Sequence, residues 1–87
     1  MKILNLTKKT TTPEQQAQGV FEPSAQDKAD IKRLLTFGGC PSERYLMVIA
    51  VNLAVIAESY GANSVLVEGS FLLLKAVRKE IPNAISL

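Results

Sequence analysis

No histidine occurs in this chain, and cysteine occurs only once, at Cys40. A lone thiol closes no internal disulfide, and without histidine the usual Cys and His zinc frameworks cannot be assembled. The same absence removes the Ser-His-Asp and Cys-His sets of nucleophilic catalysis. Cys40, which follows two glycines and precedes Pro41, therefore has no imidazole to activate it. There is no Walker loop and no Gly-x-Gly-x-x-Gly stretch, so the common phosphate-binding fingerprints are missing as well. Carboxylate-held Mg²⁺ stays open but has no motif, and no metal or cofactor is expected.

A strong charge of one sign is also lacking. Ten Lys and Arg oppose eight Asp and Glu, a net charge of +2, far from the dense basic stripe that holds duplex nucleic acid through its phosphates. The lysines and arginines at Lys28, Lys32 and Arg33, and at Lys75, Arg78 and Lys79, are not interleaved with aromatic residues. Both groups read as solvated helix faces, the second also suiting a helix C-terminal dipole. The longest apolar stretch, residues 45–57 with Asn52 inside it, is too short for the ~20 residues that span a bilayer. The apolar run at residues 3–6 is broken at once by Lys8 and Lys9, so it does not read as a signal peptide. A cytoplasmic protein is the expectation.

What is present is a globular balance: 87 residues, 47% hydrophobic and 21% charged, the size and composition of one domain. A chain of this size buries little more than ~60% of its unfolded surface. A homo-oligomer, most simply a homodimer, is the corresponding expectation.

Residues 2–6 (Lys-Ile-Leu-Asn-Leu) read as a first strand. Thr12 with Gln15 fits a capping box, and Pro13 suits the first helical position, predicting a short helix over 13–18 that stops at Gly19. Residues 20–23, next to Pro23, predict no more than an edge strand or extended linker. Ser24 with Asp27 marks a second helix start, with Ile31, Leu34 and Leu35 on one face and Gly38-Gly39 as its end.

A third helix is predicted from residues 40–43 through Ser59, stopped by Gly61. One of its faces carries Leu46, Ile49, Ala50, Leu53, Ile56 and Ala57, and the other carries Met47, Val48, Val51 and Val55. A helix apolar on nearly all sides asks for contact on both, either within its own fold or from another subunit. Residues 64–68 (Ser-Val-Leu-Val-Glu) read as a strand buried on both faces. A helix over 71–80 follows, with Leu73, Leu74, Val77 and Ile81 inward, broken by Pro82 and Asn83 before a last strand at 84–87. Strand, helix and strand at this spacing form a right-handed parallel βαβ unit. The predicted fold class is α/β: a small three-layer Rossmann-like domain with a short, mainly parallel sheet and flanking helices.

In such sheets ligands collect at the carboxyl ends of the strands. The candidate ligand-binding residues are Thr7, Lys8 and Lys9 after the first strand, and Glu68, Gly69 and Ser70 after the buried one. Lys8 supplies charge, Gly69 lets a ligand approach the backbone, and the helix start at Ser70 and Phe71 offers free N–H groups to an anion. In the plainer reading Ser70 is an ordinary N-cap and Gly69 a tight turn. Glu68 repels phosphate unless Lys8 or Lys9 neutralises it; it suits a ribose hydroxyl or a lysine. Asn5 either orders the loop or faces solvent.

The segments Leu4-Asn5-Leu6-Thr7, Thr12-Pro13-Glu14-Gln15, Gly19-Val20, Leu34-Leu35-Thr36-Phe37 and the stretch from Val65 through Glu68 to Phe71 resemble a group of short, uncharacterised bacterial and phage proteins. Where that group carries Gln-His after Asn-Leu-Thr, this chain has Lys8-Lys9. The strand, glycine turn, helix and strand ending is also similar to the small Rossmann-like CRISPR-associated proteins of the CARF type. That likeness implies a homodimer binding or cleaving cyclic oligoadenylate. Two readings follow: a small ligand-binding or regulatory domain with a nucleotide-type anion at its sheet edge, or an interaction module with no small-molecule site. A metal-independent phosphodiesterase is the least supported, because no general base is evident.

Overall fold

The computed structural model describes residues 2–37, 41–69 and 71–87. Its elements are β1 (Ile3–Asn5), α1 (Pro13–Ala17), β2 (Val20–Phe21), α2 (Ala25–Leu35), α3 (Glu43–Ser59), β3 (Ser64–Val67), α4 (Phe71–Glu80) and β4 (Ile85–Ser86). The four strands form one sheet in the order β2-β1-β3-β4, parallel throughout. The apolar runs read as strands are the central pair, Leu4 lying opposite Val65 and Asn5 opposite Leu66. Both are buried over their full length.

The strand order separates the helices into layers. The step from β1 to β2 runs one way across the sheet, and the steps from β2 to β3 and from β3 to β4 run the other way. Right-handed crossovers then put α1 on one face and α2, α3 and α4 on the opposite one. Side-chain alternation along the strands agrees. Leu4, Leu6, Val65 and Val67 join Ile31 of α2, Leu46, Ile49 and Leu53 of α3, and Leu73 and Val77 of α4 in the main core. Ile3, Val20 and Leu66, one step out of phase, form a separate small cluster. The result is the expected α/β arrangement of a parallel sheet between helices.

Local chemistry sets the helix ends. The capping box at α1 is present: the Gln15 N–H donates to the Thr12 hydroxyl and the Thr12 N–H to the Gln15 side chain. Ser24 caps α2 and Ser42 caps α3 with a single bond each, the serine hydroxyl accepting from the Asp27 and Tyr45 N–H groups. The third helix thus opens at Glu43 rather than up to three residues earlier, because the Ser42 side chain does its bonding from an extended backbone. The second helix gives out at Leu35, where Thr36 leaves helical geometry and turns its hydroxyl back to the Lys32 carbonyl. The Gly38-Gly39 stop expected from the sequence, and Cys40, lie outside the described residues. At the end of α3, Gly61 at φ +64° donates to Glu58 while Ala62 donates to Ala57. This is a Schellman closure, which needs a residue at ease with positive φ. Leu34, Leu74 and Ile81, expected inward, are partly buried against the core, and Ala76 takes a buried place on α4.

Candidate functional site

The carboxyl end of β1 is built around a polar residue in a buried place. Asn5 is 1% exposed, and an amide at that depth must find partners or cost on the order of 1–3 kcal/mol. It finds them in the loop that follows. Its side-chain carbonyl accepts from the Thr7 N–H at 3.0 Å and the Thr7 hydroxyl at 2.6 Å. Its amide nitrogen donates to the Lys9 carbonyl at 2.8 Å, to the Thr11 hydroxyl at 3.2 Å and to the Glu22 carboxylate. Of the two readings of Asn5, the structure selects the one in which it orders the loop.

Glu22 and Lys28, neither of which the sequence assigned to a site, complete the cluster. Glu22, just past β2, accepts from the Thr11 N–H and hydroxyl as well as from Asn5. Lys28 of α2 lies 3.2 Å from Glu22 and donates to the Thr7 and Lys9 carbonyls, each at 2.8 Å. The solvated-face reading of Lys28 is thereby corrected. Its side chain is 13% exposed, because α2 passes directly beside the β1–α1 loop. Lys32 and Arg33, a turn further on, do stay at the surface. Burial alone would raise the Glu22 pKa, but hydrogen bonds from Thr11, Asn5 and Lys28, together with the Lys28 charge, outweigh it. They hold the carboxyl below its ordinary value.

The six sequence-predicted site residues fall around this anchored loop. Thr7 is buried, its hydroxyl taken up by Asn5 and the Lys9 carbonyl. Lys8 is exposed, and no hydrogen bond or ion pair to another described residue engages it. Lys9 reaches across to Glu68 at 3.3 Å, so the loops after β1 and β3 do lie side by side. With side chains 74% and 32% exposed, that pair is worth at most ~1 kcal/mol and is easily exchanged for another partner. Gly69 sits at φ +138°, and a Cβ there would lie 3.3 Å from the Leu73 side chain. Ser70 lies outside the described residues, and Phe71 opens α4 with its ring exposed.

This edge therefore offers one unengaged cation, one lightly held cation and the start of a ten-residue helix. Glu22 is committed to Thr11, Asn5 and Lys28 and is not poised as a base. Among the described residues no group of three or more His, Cys, Asp or Glu could hold a metal ion. Elsewhere, a groove of about 190 Å³ runs between α3 and α4 past Met47, Leu72 and Lys75. A shallow depression of about 620 Å³ lies over Met47, Val48 and Val51. Neither touches the loops after β1 and β3. Among the described residues no helix is long and apolar enough to cross a membrane.

No protein-family model, curated protein or solved structure matches the chain.

Proposed function

We propose that this is a small ligand-binding domain that takes an anionic, nucleotide-type ligand at the carboxyl edge of its sheet, between the loops after β1 and β3. The supporting observation is topological. The chain leaves β1 toward one edge and returns to build β3 and β4 toward the other, and open α/β sheets bind ligands where the strand order reverses. At that point Lys8 supplies charge and the amide of Phe71, at the start of α4, supplies a donor. Gly69 gives the ligand access to the backbone, and Lys9 exchanges Glu68 for the ligand. The freed Glu68 carboxylate suits a ribose hydroxyl, which matches a nucleotide better than a bare phosphate. Asn5, Thr7, Thr11, Glu22 and Lys28 hold the loop in place, so little ordering entropy is lost on binding. The likeness to CARF-type proteins adds cyclic oligoadenylate to the ligands worth testing.

Calorimetry against mononucleotides, dinucleotides and linear and cyclic oligoadenylates tests the proposal. Heat from at least one of them, reduced tenfold or more in apparent affinity by Lys8→Ala, is the expected result. No heat from any of the panel removes the idea. The exposed apolar face of α3 favours a second reading, a domain that works by association. That reading is independent of the first and requires no small molecule.

A further inference from the structure

α3 carries two apolar faces, and its own fold uses one of them. Leu46, Ile49, Ala50, Leu53 and Ala57 are buried against the sheet and α4. On the other side Met47, Val48, Val51 and Val55 stand 44%, 53%, 47% and 62% exposed. Leu72 of α4, 60% exposed, adjoins them across the groove at Met47. Four apolar side chains on the outer side of one helix, at three- and four-residue spacing, form a docking stripe rather than scattered surface residues.

We infer that this stripe is a self-association surface, on which two copies of the chain pack α3 against α3 in antiparallel fashion about a two-fold axis beside Val51. The charges at its ends select both the partner and the direction. Arg44 and Glu58 lie seven positions before and after Val51, two helical turns each way, and so on the same face. Both are exposed, and neither forms an ion pair with another described residue. About a two-fold at Val51, Arg44 of each copy comes level with Glu58 of the other, giving two symmetric pairs at the ends of an apolar centre. A parallel arrangement sets Arg44 against Arg44 and Glu58 against Glu58. The apolar stripe with Leu72 exposes roughly 500 Å² per copy, and with its polar rim approaches the ~800 Å² that a standard interface takes from each partner.

Sedimentation equilibrium over a concentration series tests this. The wild-type chain should give twice the 9.4 kDa monomer mass, and Val51→Glu, which sets two like charges at the axis, should give the monomer. Arg44→Glu or Glu58→Arg alone should weaken the dimer roughly tenfold, because two attractions become two repulsions. The double reversal should restore it. A wild-type chain that stays monomeric at millimolar concentration overturns the proposal. A dimer insensitive to both single reversals, or not rescued by the double one, overturns the antiparallel arrangement. Circular dichroism confirms that each variant is folded, and all three positions are at the surface.

Discussion

The ammonium of Lys28 sits 3.2 Å from the Glu22 carboxylate and donates to the carbonyl oxygens of Thr7 and Lys9, each at 2.8 Å. One cation on α2 thus ties the end of the edge strand to the loop leaving the central strand. With Asn5 bonding to the same loop, the backbone of residues 7–11 is held from β1, from Glu22 just past β2 and from α2. For the proposed site the consequence is preorganisation: the residues on either side of Lys8 have their backbone groups bonded.

Replacing Lys28 by Met keeps much of the stem's packing but removes the cation beside Glu22 and one donor from each of the Thr7 and Lys9 carbonyls. The expected cost is on the order of 1–3 kcal/mol in urea unfolding, with faster amide exchange at residues 7–11. Lys32→Met, one turn away at the surface, should change neither.

Asn5→Ala removes the centre of the same cluster and should cost about 1–3 kcal/mol, since Thr7, Thr11 and the Lys9 carbonyl lose a buried partner. Asn5→Asp keeps the shape but places a second carboxylate against Glu22, so one of the pair should bind its proton at higher pH than usual. Carboxylate titration by NMR reads this directly.

Glu22 gives the molecule an acid-sensitive joint. Its carboxyl is lowered in the folded state, so the unfolded chain binds the proton more tightly and protonation favours unfolding. The contribution to stability is complete above the ordinary carboxylate pKa and is lost as pH falls through the lowered folded value. Urea midpoints measured from neutral pH down through the carboxylate range should fall for the wild type, and fall less steeply for Glu22→Gln.

How far this was legible in the sequence differs by kind of residue. The central strands were legible because apolar runs with flanking turns are local signals, and the Thr12 and Ser24 caps because a hydroxyl three residues before its partner is local too. Lys28 was not. Lys28 and Lys32 four apart look like any solvated face, and only the placement of α2 beside the β1–α1 loop separates them. Glu22, next to Pro23 after a two-residue strand, carried no pattern at all. Asn5 stood out as polar in an apolar run, but its partners at Lys9, Thr11 and Glu22 are set by the way the loop folds back. The meeting of Lys9 and Glu68 follows from the parallel pairing of β1 with β3, a long-range contact that the strand runs by themselves do not specify.

Gly69→Ala tests the turn into α4. At φ +138°, with Leu73 only 3.3 Å from the new methyl group, the substitution should cost about 1–3 kcal/mol. A thermal melt that does not move would contradict the geometry of that turn.

The most direct test of the ligand site is an amide NMR titration of the wild-type protein with ATP and with a cyclic oligoadenylate, the spectra assigned residue by residue. The account predicts saturable shifts confined to residues 7–9 and 68–72, with at least one of the two nucleotides. Saturable shifts centred elsewhere, on the exposed Lys32 and Arg33 of α2 or in the groove between α3 and α4, or no saturable shift with either nucleotide, would contradict it.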